Sequence, residues 1–419
     1  MPVLDKTQPP VAADHIRSQI RDLETENIAE LAVRAKAMTD VITLWYGEGD
    51  LVTPSFIRDA AKASLDAGQT FYVPDMRGLP ALTEALSAYL TRLHGKEIPV
   101  QRSTVTPGGM QAVFLALEML VDAGSNVVYV EPQWPNIRHA IHIAGGEPRP
   151  VALDYVDGGW RLDLDKLFDA CDARTRAVMF STPSNPLGWT ATSEELQALI
   201  DLSRRTGIWI ISDELYNRLA FDAERASSVL QLAEPEDLVI SVNGFSKAWA
   251  MTGWRAGWLT HPPSVAKALG AMTQYMNSGT AAFVQAGARA AIVDGEPFVK
   301  EVRERCRAGV DAAYDALSQT NSIVLPEKPR GGMYVVFSIA GEADSTAACH
   351  HILEEAHVGL APGWLFGASS NSFLRMCVCR DTEQVTEACR RIVKALGGAT
   401  GAAGIARATA HPQRRVGLS

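Results

Sequence analysis

Short apolar segments of high β-propensity alternate with segments of helical periodicity along the middle of the chain. The predicted strands are Val127–Val130, Ala177–Ser181, Ile208–Ser212, Leu238–Val242 and Ala256–Leu259, and the helices between them are Met110–Asp122, Leu164–Cys171 and Ser193–Thr206. Continuous apolar strands that alternate with helices are typical of a mainly parallel sheet covered by helices. Such sheets bind ligands at the carboxyl ends of their strands. The sequence therefore predicts an α/β fold whose functional residues follow the strands directly.

A second group of elements, towards the carboxyl end, predicts a smaller α+β domain. It comprises a helical segment from Pro297 to about Gln319, the strands Met333–Ile339 and Phe373–Val378, and the helices Asp344–Ala356 and Thr382–Leu396. We therefore divide the chain into a flexible lead (1–14), an N-terminal helical segment that packs with the small domain (15–45), the large domain (46–290), the small domain (291–397) and a disordered tail (398–419).

Charge and cysteine content restrict the class of protein. The 39 Lys and Arg residues against 48 Asp and Glu give a formal net charge of −9, which disfavours a nucleic-acid partner. No apolar run approaches the roughly 20 residues that a membrane helix requires, and the N-terminus lacks the pattern of a signal peptide. The six cysteines are thinly spread, and Cys377 and Cys379 lack further ligands at metal spacing. These features favour a cytoplasmic enzyme without a metal site.

The most informative segment is SVNGFSKAWAMTGWRAGW, residues 241–258. It places Lys247 after a predicted strand, amid apolar and small residues, where desolvation favours the neutral and nucleophilic amine. Eight residues further on, Arg255 offers a guanidinium fork for a phosphate. Taken alone, a surface lysine and a salt-bridging arginine are the simpler interpretation of these two residues.

Polar residues also follow two other predicted strands. In SDELYNRL, Asp213 and Tyr216 lie at the end of the strand Ile208–Ser212, where the carboxylate could meet a cationic ring nitrogen or cap a helix. In STPSNPLGWT, Asn185 precedes a proline and is held in a stiff, non-helical turn. Each observation by itself leaves both a structural and a functional interpretation open.

Two further segments carry features suited to a flat, phosphorylated ligand. In VTPGGMQAVFLAL, Gly108 and Gly109 lie between a short strand and a helix, whose first backbone N–H groups could bind a phosphate. In VYVEPQW, Trp134 lies just beyond a buried strand, where it could stack on a flat ring or fill the core. A glycine pair before a helix is more often only a turn.

Taken together and in this order, the segments resemble the fold-type-I pyridoxal-phosphate enzymes, specifically the class I/II aminotransferases of the aspartate aminotransferase superfamily. The resemblance extends over about residues 40–395, and SKxxxMTGWRxGW at 246–258 is its most specific motif. It implies a large domain with a seven-stranded, mainly parallel sheet between helices, a smaller α+β domain, and pyridoxal 5′-phosphate as cofactor. It also implies ping-pong transfer of the α-amino group of an L-amino acid to a 2-oxo acid.

The resemblance implies a role for each matched residue. Lys247 would form the Schiff base with the cofactor aldehyde and move the proton between Cα and C4′, and Asp213 would pair with the pyridine nitrogen. The remaining cofactor contacts would be Tyr216 and Asn185 at the ring oxygen O3′, Trp134 on the ring face, and Gly108, Gly109, Met110, Ser246 and Arg255 at the phosphate.

Three further matches concern the substrate and assembly. Gly47 in LWYGEGDLVTP would lie against the substrate carboxylate together with Asn185, and Arg375 in FLRMCVC would clamp that carboxylate, an ordinary ion pair being the alternative. Tyr72 in YVPDMRGLPALTEAL would reach the phosphate of the neighbouring subunit, which implies a homodimer with shared active sites. Met110 stands where members that prefer dicarboxylic substrates have a polar or cationic residue, which favours an apolar side-chain pocket.

Two other functions remain open at this stage. The same scaffold hosts lyases, decarboxylases, synthases and oxidases, and one sequence does not reveal which Cα bond is broken. A non-catalytic sensing module of a transcription regulator is disfavoured, because about 40 residues precede the glycine motif and the net charge is acidic. The sequence therefore predicts a pyridoxal-phosphate-dependent aminotransferase with small-molecule partners, and with neither nucleic-acid nor membrane binding.

Overall fold

The computed structural model describes residues 12–21, 23 and 28–397. Most of the predicted flexible lead and all of the predicted disordered tail (398–419) lie outside the described residues. Residues 12–14 of that lead belong to a short 3₁₀ helix, Ala12–His15. No helix in the described part of the chain is long and apolar enough to cross a membrane. Across those same residues there is no group of three or more His, Cys, Asp or Glu placed to hold a metal ion.

The β-strands of the described residues form a seven-stranded sheet, a four-stranded sheet and two two-stranded pairs. They are β1 (Ile42–Thr43), β2 (Ser103–Thr106), β3 (Asn126–Glu131), β4 (Glu147–Ala152), β5 (Asp154–Val156), β6 (Gly159–Arg161), β7 (Thr175–Ser181), β8 (Trp209–Asp213), β9 (Val239–Gly244), β10 (Gly257–Thr260), β11 (Ile323–Val324), β12 (Tyr334–Ile339), β13 (Val358–Gly359), β14 (Ala361–Pro362) and β15 (Phe373–Cys377).

The α-helices surround these strands. They are α1 (Ser18–Arg21), α2 (Ile28–Ala35), α3 (Ser55–Asp66), α4 (Pro80–His94), α5 (Gly109–Leu120), α6 (Pro135–Ile143), α7 (Leu164–Asp169), α8 (Ser193–Thr206), α9 (Val229–Leu232), α10 (Ala266–Met276), α11 (Ala282–Asp294), α12 (Glu296–Leu317), α13 (Ser345–Ala356) and α14 (Thr382–Gly397).

The large sheet has seven strands in the order β2-β10-β9-β8-β7-β3-β4. Strands β9, β8, β7, β3 and β4 run parallel, and β10 is antiparallel to both of its neighbours. Alternate residues of a central strand enter opposite apolar clusters: Val178 and Phe180 pack in one, Ala177 and Met179 in the other. Burial on both faces explains why these strands appear in the sequence as continuous apolar runs. The predicted α/β fold with a mainly parallel sheet is confirmed.

Parallel pairing brings the functional segments to one edge of this sheet. Ser181, which ends β7, lies beside Asp213 at the end of β8, and Asp213 lies beside Val242 near the end of β9. The chain then connects β9 to β10 through residues 245–256, which include Lys247 and Arg255. This twelve-residue connection contains a 3₁₀ turn (Thr252–Trp254) but no α-helix to cross the sheet, and β10 returns antiparallel to β9.

A second, four-stranded sheet has the order β11-β12-β15-β14 and is antiparallel throughout. Its apolar cluster includes Phe337 and Leu374 from the sheet, Ile352 from α13, and Ile28 and Leu31 from α2. Strand β1 pairs in parallel with β13, which further joins the N-terminal segment to this part of the chain. The predicted elements of this region are present, with Asp344 capping α13 rather than belonging to it.

Helix α8 begins at Ser193, as predicted, and the residue that caps it is Thr192. The Thr192 hydroxyl accepts the Glu195 N–H at 3.1 Å, and the Glu195 carboxylate accepts the Thr192 N–H at 2.7 Å. This reciprocal pair is a capping box, which satisfies two N–H groups that a helix start otherwise leaves unpaired.

Candidate active site

A cavity of about 240 Å³ lies at the carboxyl ends of the central strands. It contains most of the residues that the sequence analysis singled out. Those lining it are Gly47, Gly109, Met110, Trp134, Asn185, Asp213, Tyr216, Ser246, Lys247 and Arg255. They come from segments spread over more than 200 residues, and the fold brings them together in one place.

Three predicted residues lie outside the cavity lining. Gly108 precedes α5 with a φ of 95°, and a Cβ atom built there would lie 2.5 Å from the Arg255 guanidinium. Arg375 lies behind the wall, where its Nη1 donates to Asn185 Oδ1 at 3.0 Å. Tyr72 is 85% exposed on the surface of this single chain. Its predicted approach to a neighbouring subunit stays a prediction.

Lys247 is held against the N-terminal glycine segment. Its Nζ donates a hydrogen bond to the carbonyl oxygen of Gly47. Desolvation is the largest effect and lowers the pKa of this amine, while Cys377 and Glu48 raise it and the positive charges of Arg375 and Arg255 lower it by smaller amounts. A lysine in such surroundings has a larger fraction in the neutral form, which is the nucleophilic and proton-accepting form.

Asp213 is the last residue of β8 and faces the same cavity. Desolvation raises the pKa of its carboxyl group to about 6, although the Leu215 N–H, 3.1 Å from Oδ1, and the charge of Lys247 act in the opposite direction. The residue caps no α-helix, because only the 3₁₀ turn Asn217–Leu219 follows. Desolvation destabilises the charged form of this carboxylate, and a cation bound in the cavity would stabilise it.

The start of α5 and Arg255 form an anion-binding corner. The first N–H groups of the 12-residue helix, which begins at Gly109, have no partner within the helix. Arg255 adopts a left-handed conformation with a φ of 54°, and its Nη1 donates to the Thr252 carbonyl at 2.7 Å. Ser246 is buried beside them in the cavity wall. Helix N–H groups and a guanidinium together suit a phosphate.

Arg375 is a buried guanidinium for which the described part of the chain provides no counter-ion. It is 1% exposed and donates to Asn185 Oδ1 and to the Trp45 carbonyl, while its Nε has no hydrogen-bond partner. Among the described residues, no carboxylate lies within ion-pair distance of it. The alternative of an ordinary ion pair is therefore not supported. A buried charge that lacks a partner favours binding of an anion from outside the protein.

Aromatic rings surround this guanidinium. Its Cζ lies 4.6 Å from the ring centre of Tyr334, 4.8 Å from that of Phe366 and 6.0 Å from that of Trp134. Trp134 is half-buried, lines the cavity and packs at 6.3 Å from Phe366. Both interpretations of Trp134 thus have a basis in the structure, since the ring contacts the core on one side and the cavity on the other.

One aromatic residue of the cavity, Tyr334, belongs to none of the motifs recognised in the sequence. This residue begins β12, and its hydroxyl lies 2.8 Å from that of Tyr216. Asn136 and Thr252 also line the cavity and were not singled out. The only signal for Tyr334 was its position after the glycine pair Gly331–Gly332 at a strand start, and that signal is weak without the pairing of β12 with β15.

Comparison with known proteins agrees with this geometry. The family model for aminotransferase class I and II matches residues 39–392. An aspartate aminotransferase of Geobacillus stearothermophilus is 33% identical over 382 residues, which cover 88% of this chain and 95% of that protein. The crystal structure of an aspartate aminotransferase from Thermotoga maritima is similar with a TM-score of 0.84 and 30% identity, covering 91% of this chain and all of that one.

An aromatic aminotransferase from Pyrococcus horikoshii OT3 is also similar in structure. The TM-score is 0.80 at 30% identity, with 88% of this chain and 98% of that chain covered. The fold, the cavity and the family match together define the class: the chain belongs to the class I and II aminotransferases. It is a pyridoxal-phosphate-dependent aminotransferase, as the sequence analysis predicted.

Proposed function

We propose that the cavity binds pyridoxal 5′-phosphate and that the enzyme transfers the α-amino group of an L-amino acid to a 2-oxo acid in a ping-pong reaction. The observation that carries the proposal is the presence, in one cavity, of a desolvated amine, a desolvated carboxylate and an anion-binding corner. These groups match the aldehyde, the ring nitrogen and the phosphate of that cofactor. When bound, the cofactor supplies an aldehyde that condenses with amines and a cationic ring that accepts electrons from Cα.

The anion-binding corner would hold the phosphate of the cofactor. The N–H groups of Gly109 and Met110, with Gly108, Ser246 and Arg255 beside them, would hold the phosphate. A larger residue at position 108 would meet the Arg255 guanidinium, so a glycine keeps this corner open.

The ring contacts would come from four other residues. The Asp213 carboxylate would accept a hydrogen bond from the protonated ring nitrogen, which offsets its desolvation cost. Tyr216 and Asn185 would donate to the ring oxygen O3′, and Trp134 would lie on the ring face. The four side chains approach the cavity from different segments and would fix the plane of the ring.

Lys247 would first bind the cofactor through Nζ and then, once released, take the proton from the substrate Cα. Its lowered pKa supports both roles, because each needs an unprotonated amine. Arg375 would bind the substrate carboxylate with Asn185 and Gly47 nearby, and this contact would orient Cα towards Nζ.

The cavity wall favours amino acids with uncharged side chains. Among its lining residues the cations are Lys247 and Arg255, and both have roles at the cofactor. Met110 and Val113 supply apolar surface instead of a second carboxylate-binding group. We therefore propose a monocarboxylic amino donor.

We further propose a homodimer in which Tyr72 reaches the phosphate site of the partner subunit. Phe71, Tyr72 and Tyr275 are each 85% exposed. Large apolar side chains exposed to this extent support a subunit interface near Tyr72. Size-exclusion chromatography with light scattering tests the proposal, and a monomer at micromolar concentration would contradict it.

We also propose that the chain forms a large domain (46–290) and a small domain (291–397 with 15–45), and that the enzyme is cytoplasmic. The contacts of Ile28 and Leu31 with the second apolar cluster support grouping residues 15–45 with 291–397 against the large domain 46–290. All six cysteines are free, and a reducing cytoplasm would keep them so.

The test of the proposed reaction is the visible absorption of the purified holoenzyme during addition of single L-amino acids. We expect the cofactor band to be replaced by that of pyridoxamine phosphate, and a 2-oxo acid to restore it. Release of carbon dioxide or ammonia without pyridoxamine phosphate would instead indicate a decarboxylase or a lyase on the same scaffold.

A further inference from the structure

Tyr334 contacts three separate parts of the candidate active site. It begins β12 and is 1% exposed. In the antiparallel register, Tyr334 is paired with Cys377 and Val336 with Arg375, so Tyr334 and Arg375 are diagonal neighbours on one face of the small sheet. Long and aromatic side chains reach each other across such a diagonal.

The first contact is with the carboxylate-binding arginine. The Arg375 Cζ lies 4.6 Å from the Tyr334 ring centre, and the Phe366 ring lies at a similar distance, 4.8 Å. A desolvated guanidinium near aromatic rings is both stabilised and restricted in orientation. The tyrosine ring, and not its hydroxyl, makes this contact.

The second and third contacts are made by the hydroxyl. It lies 2.8 Å from the hydroxyl of Tyr216, and the two rings meet edge to face at 5.6 Å. A Cβ atom built on Gly47 would lie 2.1 Å from the Tyr334 oxygen, so the hydroxyl lies directly against that glycine. Any side chain at position 47 would displace it.

We propose that Tyr334 is a positioning residue with two separable roles: its hydroxyl orients the Tyr216 hydroxyl towards the cofactor, and its ring holds the Arg375 guanidinium for the substrate carboxylate. The inference rests on the proposed function. A phenol has one proton to donate, so when the Tyr216 hydroxyl donates to the cofactor oxygen O3′, its oxygen can accept a hydrogen bond from the Tyr334 hydroxyl. Hydrogen bonds in such a chain strengthen one another.

The hydrogen bonds from Tyr334 to Tyr216 and from Tyr216 to O3′ determine in which direction the pKa of the bound cofactor should change when the Tyr334 hydroxyl is removed. A donor at O3′ stabilises the form in which that oxygen is anionic and so favours deprotonation of the bound cofactor. Removal of the Tyr334 hydroxyl weakens donation from Tyr216. The pH at which the visible band of the bound cofactor titrates should therefore rise.

Two variants separate the roles. Tyr334→Phe removes the hydroxyl and keeps the ring. We expect the pH midpoint of the visible band to rise by about half a unit and the Kd for pyridoxal phosphate to increase about threefold. The KM for amino acids should not change, because the ring still contacts Arg375. Tyr334→Leu also removes the ring, and we expect an additional KM increase of about tenfold. The control is Tyr314→Phe, which loses a buried hydroxyl bonded to Pro326 and Glu327 carbonyls outside the cavity.

A double-mutant cycle with Tyr216→Phe decides whether the hydroxyl acts through Tyr216. We expect Tyr334→Phe to have no further effect on the pH midpoint in that background. An equal shift in both backgrounds, or no shift in the wild-type background, would overturn the inference while the holoenzyme keeps its activity. A wild-type protein that develops no visible band with pyridoxal phosphate would overturn the proposed function itself.

Discussion

Replacement of Arg375 by methionine should separate stability from activity. The guanidinium is 1% exposed and has no carboxylate partner among the described residues, so the protein bears a desolvation cost of several kcal/mol for this charge. Arg375→Met removes that cost and keeps most of the apolar volume. It also leaves the Asn185 oxygen and the Trp45 carbonyl unpaired, at about 1–3 kcal/mol each. These contributions oppose each other, and we expect the free energy of unfolding to change by about 2 kcal/mol or less.

Activity should respond very differently. A bidentate, charge-assisted contact with the substrate carboxylate contributes about 3–4 kcal/mol to transition-state binding. At about 1.4 kcal/mol for each factor of ten, kcat/KM for amino acids should fall about 100- to 1000-fold. The assays are denaturant unfolding of the cofactor-free protein and steady-state kinetics of the holoenzyme.

The matched control is Arg218→Met. Arg218 is 4% exposed and buried to a similar degree, but it is paired with Glu296 and hydrogen-bonded to Tyr89. The Glu296 side chain is 44% exposed, so Arg218→Met leaves that carboxylate in solvent, but the variant also loses the hydrogen bonds to the Tyr89 hydroxyl and the Glu224 carbonyl, and we expect a loss of about 3 kcal/mol. If Arg375→Met destabilises the protein as much as Arg218→Met does, or if kcat/KM falls less than about tenfold, the reasoning about an uncompensated carboxylate-binding charge is wrong.

Three further predictions concern the rest of the cavity. Lys247→Ala should abolish the visible band of the bound cofactor and lower turnover by orders of magnitude, and near-wild-type activity would contradict its assignment. In the folded, cofactor-free protein the pKa of Asp213 is raised to about 6 from an ordinary value near 4, so wild type loses stability as pH rises through that interval. Asp213→Asn should therefore gain about 2–3 kcal/mol relative to wild type between pH 4 and pH 6, and a parallel pair of unfolding curves would refute the shift. Met110→Lys should raise kcat/KM for aspartate about tenfold relative to leucine, whereas an unchanged ratio would show that position 110 does not contact the side chain.

Local patterns in the sequence predicted most of the large sheet, because its central strands are apolar on both faces. Strand β4 was missed for a physical reason. It contains Pro148 and Pro150 beside the charged Glu147 and Arg149, a composition typical of loops. The strand pairs only with β3 at the sheet edge, where prolines are tolerated since one side of the strand needs no partner.

Motif order predicted which residues would meet in the cavity, but not how they contact one another. The hydrogen bond from Arg375 to Asn185 joins residues 190 positions apart. The contact of Tyr216 with Tyr334 depends on how the small sheet meets the large one. Neither contact leaves a local pattern in composition or periodicity, and both need the folded chain. The reach of Tyr72 towards a partner subunit depends in the same way on a second chain.

The division of the site between two sheets has a consequence for how this scaffold can diversify. Lys247 and Asp213 follow strands of the seven-stranded sheet, whereas Arg375 and Tyr334 lie on neighbouring strands of the four-stranded one. In the proposed reaction, the groups that act on Cα and the groups that bind the carboxylate therefore lie on separate sheets, which are linked by the Tyr216–Tyr334 and Arg375–Asn185 hydrogen bonds. In that arrangement, mutations in the four-stranded sheet would change which substrates are accepted while Lys247 and Asp213 stay in place, and a bound substrate would join the two sheets through its carboxylate.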